Sequence, residues 1–372
     1  TINRDAIAGD FEFDFANGEL TKATASAKNT IEYSFGEAGL QLSETPQYVH
    51  IAVPAGLNGG LYDELYVTLY DTEGGVMYAT VKAGDEKPLK AGKVREFSNS
   101  ITYTPNSTVF VIKDKATLKA FGEQAAELDK DALFVADVDM TGETWTSIEG
   151  YANTVLGNGY SIKGLTAPLF NETSASIKGL HLTDVNLASN DAIYMGAFAN
   201  KLTANDTTNP TVEHCSASGT LTVKNDTYAS ATNNDKTNLF YGGLVGYGLG
   251  VEINNCVNKV AINVEQSTST GATAAQVSMH GGIVGYITRY VNTVDSSLIT
   301  YSSVKNCTNK GAISVDEKVW GEGKGMVSHF IGGVVAFTSK YNVAGGEISN
   351  CVNDAPISLN NPANYGASAE YT

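Results

Sequence analysis

In the second part of the chain, apolar residues recur in short blocks separated by fixed polar positions, and the blocks align. Three do so without gaps: Ile253-NNCVNKVAIN-Val264, Val304-KNCTNKGAIS-Val315 and Ile348-SNCVNDAPIS-Leu359. Val212-EHCSASGTLT-Val223 is a degenerate fourth copy. A glycine strand precedes each: Gly242-GLVGY, Gly281-GIVGY and Gly332-GVVAF, with Met195-GAFA as the weak copy. Successive cysteines lie 41 (256 − 215), 51 (307 − 256) and 44 (351 − 307) positions apart. Fixed blocks with variable gaps describe a solenoid with loop insertions. Each repeat is expected to hold three short strands: the Gly-Gly strand, the strand ending near Cys, and the Ile/Val strand after it. Three strands closing one coil is the geometry of a parallel β-helix.

The polar positions inside the blocks have structural uses. Asn255, Asn306 and Asn350 each precede a cysteine, and Asn258, Asn309 and Asn353 each follow one. Asn tolerates the left-handed backbone of a sharp bend. Coils stacked about 4.8 Å apart allow the amides of equivalent Asn residues to hydrogen-bond up the stack. The cysteines then form an inward column of small apolar groups. Their Cβ atoms point in parallel, so free thiols are expected. One Cys per coil does not supply four convergent ligands, so no metal is expected there.

Residues 1–105 show period-two alternation instead: Phe11, Phe13 and Phe15; Val49, Ile51 and Val53; Leu65, Val67 and Leu69. Further strands are predicted at 30–35, 76–81 and 93–98, with turn signals such as Asn17-Gly18 and Glu73-Gly74-Gly75 between them. Short strands at this spacing predict an antiparallel β-sandwich. Between the two regions, Leu118, Phe121, Ala125 and Leu128 share one helical face after Asp114, a suitable N-cap. A helix over about 114–128 is expected to cover the open end of the first coil. The predicted fold is all-β: an N-terminal antiparallel β-sandwich (1–105), then a right-handed parallel β-helix (106–372) of about six coils with an N-terminal capping α-helix. Residues 360–372 show no cap pattern, so a further C-terminal segment, or these residues folding back, is expected to cover the far end.

Composition narrows the function classes. At 372 residues and 42% hydrophobic, the chain can build two or three domains and is not a disordered tail. The net charge is −16. It divides into −7 before residue 105 (15 acids, 8 bases) and −9 after it (25 acids, 16 bases). The only arginines are Arg4, Arg95 and Arg289, so a basic face for nucleic acid is excluded. There is no run of about 20 apolar residues, so no transmembrane segment is expected.

Two resemblances rest on these blocks. The stretches AIAGDFEFDF, YVHIAVPAG, LYVTLYDTEGG and PLKAGKVREF resemble the N-terminal domain of fimbrillin-like surface proteins of Bacteroides-type bacteria. The pattern GG[LIV]VG followed by IxNCxNxGxI is similar to the GLUG repeat of bacterial surface and secreted proteins, as is the opening LFVADVDMTGETWTSIEG with GNGYSIKGL. Met195-Gly196, His214 in place of Asn, and Ala336 in place of Gly depart from that pattern. The resemblances imply an extracellular, cell-surface protein. They also imply an outer-membrane lipid anchor, although the lipoprotein cysteine is not in this sequence.

Signatures of catalysis are sparse. Some GLUG-bearing proteins are IgA-specific metallopeptidases, which need HExxH; none of His50, His181, His214, His280 and His329 is followed by Glu. Polysaccharide lyases of the β-helix type need a basic residue beside the sugar, and Arg289 has no patterned partner. Asp137 and Asp139 are spaced like a hydrolase pair, but read better as solvated or turn-capping residues. There is no GxSxG elbow, and Gly246-Tyr-Gly248-Leu-Gly250 opens no predicted helix. No catalytic residues and no cofactors are therefore expected.

Three insertions of similar length, within 224–241, 265–280 and 316–331, emerge on one side of the solenoid. They carry the predicted ligand contacts Tyr228, Tyr241 and Trp320. The expected role is cell-surface adhesion, or a fimbria-associated structural part, without catalysis. The expected partner is a host or matrix protein, a surface glycan, or other fimbrial subunits. The alternatives are a glycan-binding module and a β-helix polysaccharide-degrading enzyme.

Overall fold

The computed structural model describes residues 11–14, 19–23, 64–70, 76–82, 109–225, 238–266, 276–316, 327–338 and 346–360. Contacts divide the chain into two units, Thr1–Val111 and Ile112–Thr372. In the first unit, Phe11–Asp14 pairs antiparallel with Glu19–Ala23, through a bulge at Glu12/Phe13, and Glu64–Tyr70 pairs antiparallel with Val76–Lys82. The strands predicted at 30–35, 49–53 and 93–98 lie outside the described residues.

The second unit is built almost wholly of parallel strands. In each full repeat the chain visits four sheets in the same order. In the repeat around Cys256 these are Leu239–Gly242, Val245–Leu249, Glu252–Asn254 and Val257–Gln266. Equivalent strands pair in strict register: Val212, Ile253, Val304 and Ile348 form one column, and Leu221, Ile262, Ile313 and Ile357 another. Both columns face the interior until the last repeat, where Ile348 and Ile357 are exposed. The main path of the longest sheet is seven strands deep among the described residues, against about six coils expected from the blocks.

The expectation of three strands per repeat is corrected to four. The Gly-Gly pair is a corner and not the middle of a strand. The chain leaves one sheet at Gly242 and joins the next at Val245, and likewise at Gly281 and Val284, and at Gly332 and Val335. The reason lies inside the stack. A Cβ on Gly243 would stand 2.3 Å from the Asn258 amide carbon, and one on Gly333 would stand 2.5 Å from the Asn353 side chain. Only glycine lets the corner pack directly on the asparagine column.

That column is a continuous hydrogen-bonded ladder. Asn258 Nδ2 donates to Asn309 Oδ1 at 2.8 Å, and Asn309 Nδ2 donates to Asn353 Oδ1 at 2.7 Å. Each amide also closes a local loop; Asn309, for example, accepts from Gly311 N and donates to Gly311 O. The residues before the cysteines do the other predicted job. His214, Asn255, Asn306 and Asn350 all adopt left-handed backbone, φ 52–53°, and turn the chain from one sheet into the next.

The helix Lys115–Gln124, continued by a 3-10 turn Ala125–Glu127, is capped as predicted: Thr117 N donates to Asp114 Oδ1 at 2.8 Å, and Asp114 N donates to Thr117 Oγ1 at 3.0 Å. Leu118, Phe121 and Ala125 are buried. The Phe121 ring meets Tyr151 edge-on at 5.0 Å, and Tyr151 stacks on Phe170, so the apolar helix face lies on the interior of the first repeats. Asp139 caps a turn by accepting from Thr141 N. Asp137 accepts from the Ser161 backbone and hydroxyl. Asp139 is thus a turn cap, while Asp137 ties its segment to Ser161 24 positions on, and each carboxylate has a hydrogen-bonding role of its own.

Candidate functional site

The loops expected to bind ligand lie largely outside the described residues, Tyr228 and Trp320 among them. Tyr241 is described and its expected role is corrected. Its side chain is fully buried, its hydroxyl donates to Ala192 O at 2.7 Å, and its ring lies against His280. It faces inward because strand alternation turns Phe240, one residue earlier, to the other side of the strand, where Tyr194, Tyr247 and Tyr286 pack around it and bury it.

What the outside carries is a strip of aromatic rings along the stack. The last residue of each glycine block projects outward, so Tyr247, Tyr286 and Phe337 form one column that continues to Lys201. Across the glycine corner runs a second column, Tyr194, Phe240, Met279 and Phe330. Within the columns the rings are nearly parallel: Tyr247 to Tyr286 at 5.2 Å and 17°, Tyr286 to Phe337 at 6.0 Å and 11°, Tyr194 to Phe240 at 5.2 Å and 5°. Between the columns they meet edge to face, Phe240 against Tyr247 at 5.3 Å and Phe330 tilted against Phe337 at 4.9 Å. Lys201 closes one end, its Nζ 4.6 Å from the Tyr194 ring centre and paired with Glu172 at 3.3 Å. Tyr194, Tyr247, Tyr286 and Phe337 are half-buried and Phe330 is 38% exposed, while Phe240 and Met279 are buried beneath their neighbours.

This stacking decides what the strip can offer. The rings stack nearly parallel within each column, so their edges rather than their faces turn outward, and the Tyr247 and Tyr286 phenols lie half-buried among them. Ring edges carry the positive side of the aromatic quadrupole and attract oxygen acceptors, while the apolar body favours desolvated aliphatic contact. Sugar rings bind best on open aromatic faces, which this strip does not present.

Burial, and then the nearby Tyr286 and Tyr194 phenols, push the Tyr247 hydroxyl up to about 12. A tyrosine ring-carbon NMR titration should therefore show the Tyr247 signal moving near pH 12, and a midpoint near the ordinary value of about 10 would contradict the packing described. A phenol that holds its proton more tightly folded than unfolded destabilises the fold as pH rises from about 10 towards 12, because only the unfolded chain ionises in that window.

A second cluster comes from residues far apart in sequence. His181 Nδ1 lies 2.9 Å from Ser216 Oγ, with Ser161 on the opposite neighbouring strand and Asp137 beyond it. Burial lowers the His181 pKa, and Asp137 partly opposes this, so the ring is neutral at pH 7. The Asp137 oxygen that accepts bonds does so from Ser161, and the His181 contact is to a hydroxyl. The cluster thus lacks the carboxylate that holds the ring in a Ser–His–Asp relay. No group of three or more His, Cys, Asp or Glu suited to a metal ion occurs among the described residues. No helix there is long and apolar enough to cross a membrane.

No protein-family model matches the chain, and no curated protein matches it. Among solved structures it is similar to "a putative immunoglobulin A1 protease from Bacteroides ovatus", at 14% identity and TM-score 0.42, covering 71% of this chain and 81% of that one. It is also similar to an "IgA1 Protease", at 16% identity and TM-score 0.41, covering 82% of this chain and 24% of that one. These findings correct the expectation of a non-catalytic adhesion protein: both structures are named as proteases and neither as an adhesin, so that role and the exclusion of enzyme activity are set aside. Similarity this low does not carry the named activity across to this chain.

Proposed function

We propose that the second unit is a right-handed parallel β-helix, capped at its start by Lys115–Gln124, that recognises an extended polypeptide along its aromatic strip. In this reading the first unit is a β-sandwich, and the chain belongs to a secreted or surface-exposed bacterial protein, as the fimbrillin-like and GLUG-type blocks imply. The observation that carries the reading is the outward ladder Tyr247–Tyr286–Phe337, edge-packed against Phe240 and Phe330. A soluble protein seldom keeps a contiguous aromatic surface without a use for it. Ring edges turned outward favour a peptide, whose side chains lie against them and whose carbonyls can accept from the Tyr247 and Tyr286 phenols. The net charge of −16 favours basic segments at long range.

A peptide array and a glycan array probed side by side with the full chain test this. Binding is expected on the peptide array, biased towards basic and aliphatic sequences. Binding confined to glycans would overturn the proposal.

A further inference from the structure

In the repeat around Cys307, the strand Val284–Thr288 does not turn directly into its successor, Ser302–Lys305. Between them Tyr290–Val291 and Ile299–Thr300 pair antiparallel as a hairpin. Its polar groups are spent on anchoring it. The Tyr290 hydroxyl donates to Asp206 Oδ1 at 2.8 Å, Thr293 N donates to the same oxygen at 2.7 Å, and the Thr293 hydroxyl donates to Asp206 Oδ2. Asn292 Nδ2 donates to Asp206 O, and Thr300 Oγ1 to Asn209 Oδ1, both at 3.2 Å. The tip is fixed as well: Asn292 Oδ1 accepts from Val294 N and Asp295 N, and Asp295 Oδ1 accepts from Ser297 N and Oγ.

The pairing register decides what is left outside. Tyr290 lies opposite Thr300, and both side chains turn to the segment holding Asp206 and Asn209. Val291, opposite Ile299, therefore takes the other side, with Tyr301. Exposure follows: Val291 38%, Val294 87%, Leu298 57% and Tyr301 45%. This reverses the usual surface hairpin, whose polar side faces water, and leaves an apolar crest. A crest held this rigidly loses little conformational freedom when something covers it.

The place of the crest points to its occupant. The hairpin base runs along the ends of three successive strands of the sheet that carries the aromatic strip. Ala199–Thr203 leads towards Asp206, Val245–Leu249 into Gly250, and Val284–Thr288 towards Tyr290. A Cβ on Gly250 would stand 2.5 Å from the Tyr290 Cβ, so the hairpin packs directly on that strand end. Tyr290 follows Tyr286 by four positions, a reach of at most about 14 Å. Asp206 and Asp295 flank the crest, both carboxyls held below the usual range, chiefly by the Thr293 and Ser297 hydroxyls. With a net charge of −16, they oppose a second copy of the chain or an anionic bilayer and favour an aliphatic residue beside a basic one.

We propose that the crest is a second contact for the extended polypeptide read by the aromatic strip, seating one aliphatic residue of it, beside a Lys or Arg, against Val294 and Leu298. Resting on the strip reading, this contact gives recognition a preference at one position, which stacked ring edges alone do not provide.

The test is calorimetry with the tightest-binding peptide of the array and with versions of it in which each aliphatic residue in turn is replaced by serine. Val294→Ser/Leu298→Ser, at exposed positions, should bind the parent peptide about tenfold more weakly than the wild type does, with an unchanged circular dichroism spectrum. That difference should vanish for the one peptide lacking the seated residue and persist for the others. If Tyr247→Ala/Tyr286→Ala weakens binding and the crest variant does not, the crest contact is excluded and the strip reading stands. If neither variant changes the affinity, or no peptide binds, both fall. An equal crest effect with every peptide, or a crest variant that keeps its peptide affinity but loses self-association or binding to phosphatidylglycerol vesicles, would give the crest another partner and overturn the proposal.

Discussion

Replacing Gly282 with alanine is expected to destabilise the second unit by about 3 kcal/mol or more, the upper end of overpacking costs. A Cβ there would lie 2.1 Å from the Gly333 carbonyl oxygen and 2.4 Å from the Asn309 amide. Neither can yield cheaply. The carbonyl belongs to the corner of the next repeat, and the amide is bonded above and below in the ladder. Gly142 is the control: it has φ +80°, and a Cβ added to it would meet nothing within 4 Å, so Gly142→Ala should cost only the backbone strain of about 1 kcal/mol. Guanidinium denaturation followed by circular dichroism separates the two. Equal losses would mean that the corner glycines are not in contact with the ladder.

The second large effect is expected from Asn309→Ala, at about 3 kcal/mol. The side chain makes four hydrogen bonds: from Asn258 Nδ2, to Asn353 Oδ1, from Gly311 N and to Gly311 O. Truncation leaves the Gly311 N–H buried without this acceptor and removes one acceptor from the Asn258 amide, and a buried group left unpaired costs about 1–3 kcal/mol. Asn353 sits at the exposed end of the ladder, where water replaces the lost partner. Asn353→Ala should therefore cost about 1 kcal/mol, and a cost equal to that of Asn309→Ala would contradict a ladder that strengthens inward.

These two columns were legible in the sequence because each strand step repeats the same demand. Asn306 must bend left-handed, Asn309 must bond its neighbours, and Val304 and Ile313 must face inward, so the pattern recurs at every block. The corner was misread for a physical reason: a glycine pair inside an apolar run looks like a flexible strand, and its close approach to Asn258 links residues in different strands. The outward rings were also present in the glycine blocks, which end in Tyr247, Tyr286 and Phe337, but a single aromatic per block reads as core until the register shows which side it takes. Tyr241 shows the converse, an aromatic beside a loop that alternation sends inward. The His181–Ser216 contact spans 35 positions (216 − 181) and has no local signature at all.

The most direct test of strip recognition is the affinity of one array-selected peptide for the wild type and for the Tyr247→Ala/Tyr286→Ala variant, measured by calorimetry on samples whose circular dichroism spectra agree. Central aromatic contacts typically contribute about 2 kcal/mol or more to an interface. Binding to the variant is therefore expected to be weaker by at least about tenfold, or about 1.4 kcal/mol. Equal affinity for the two proteins would place the recognition surface elsewhere and contradict the account.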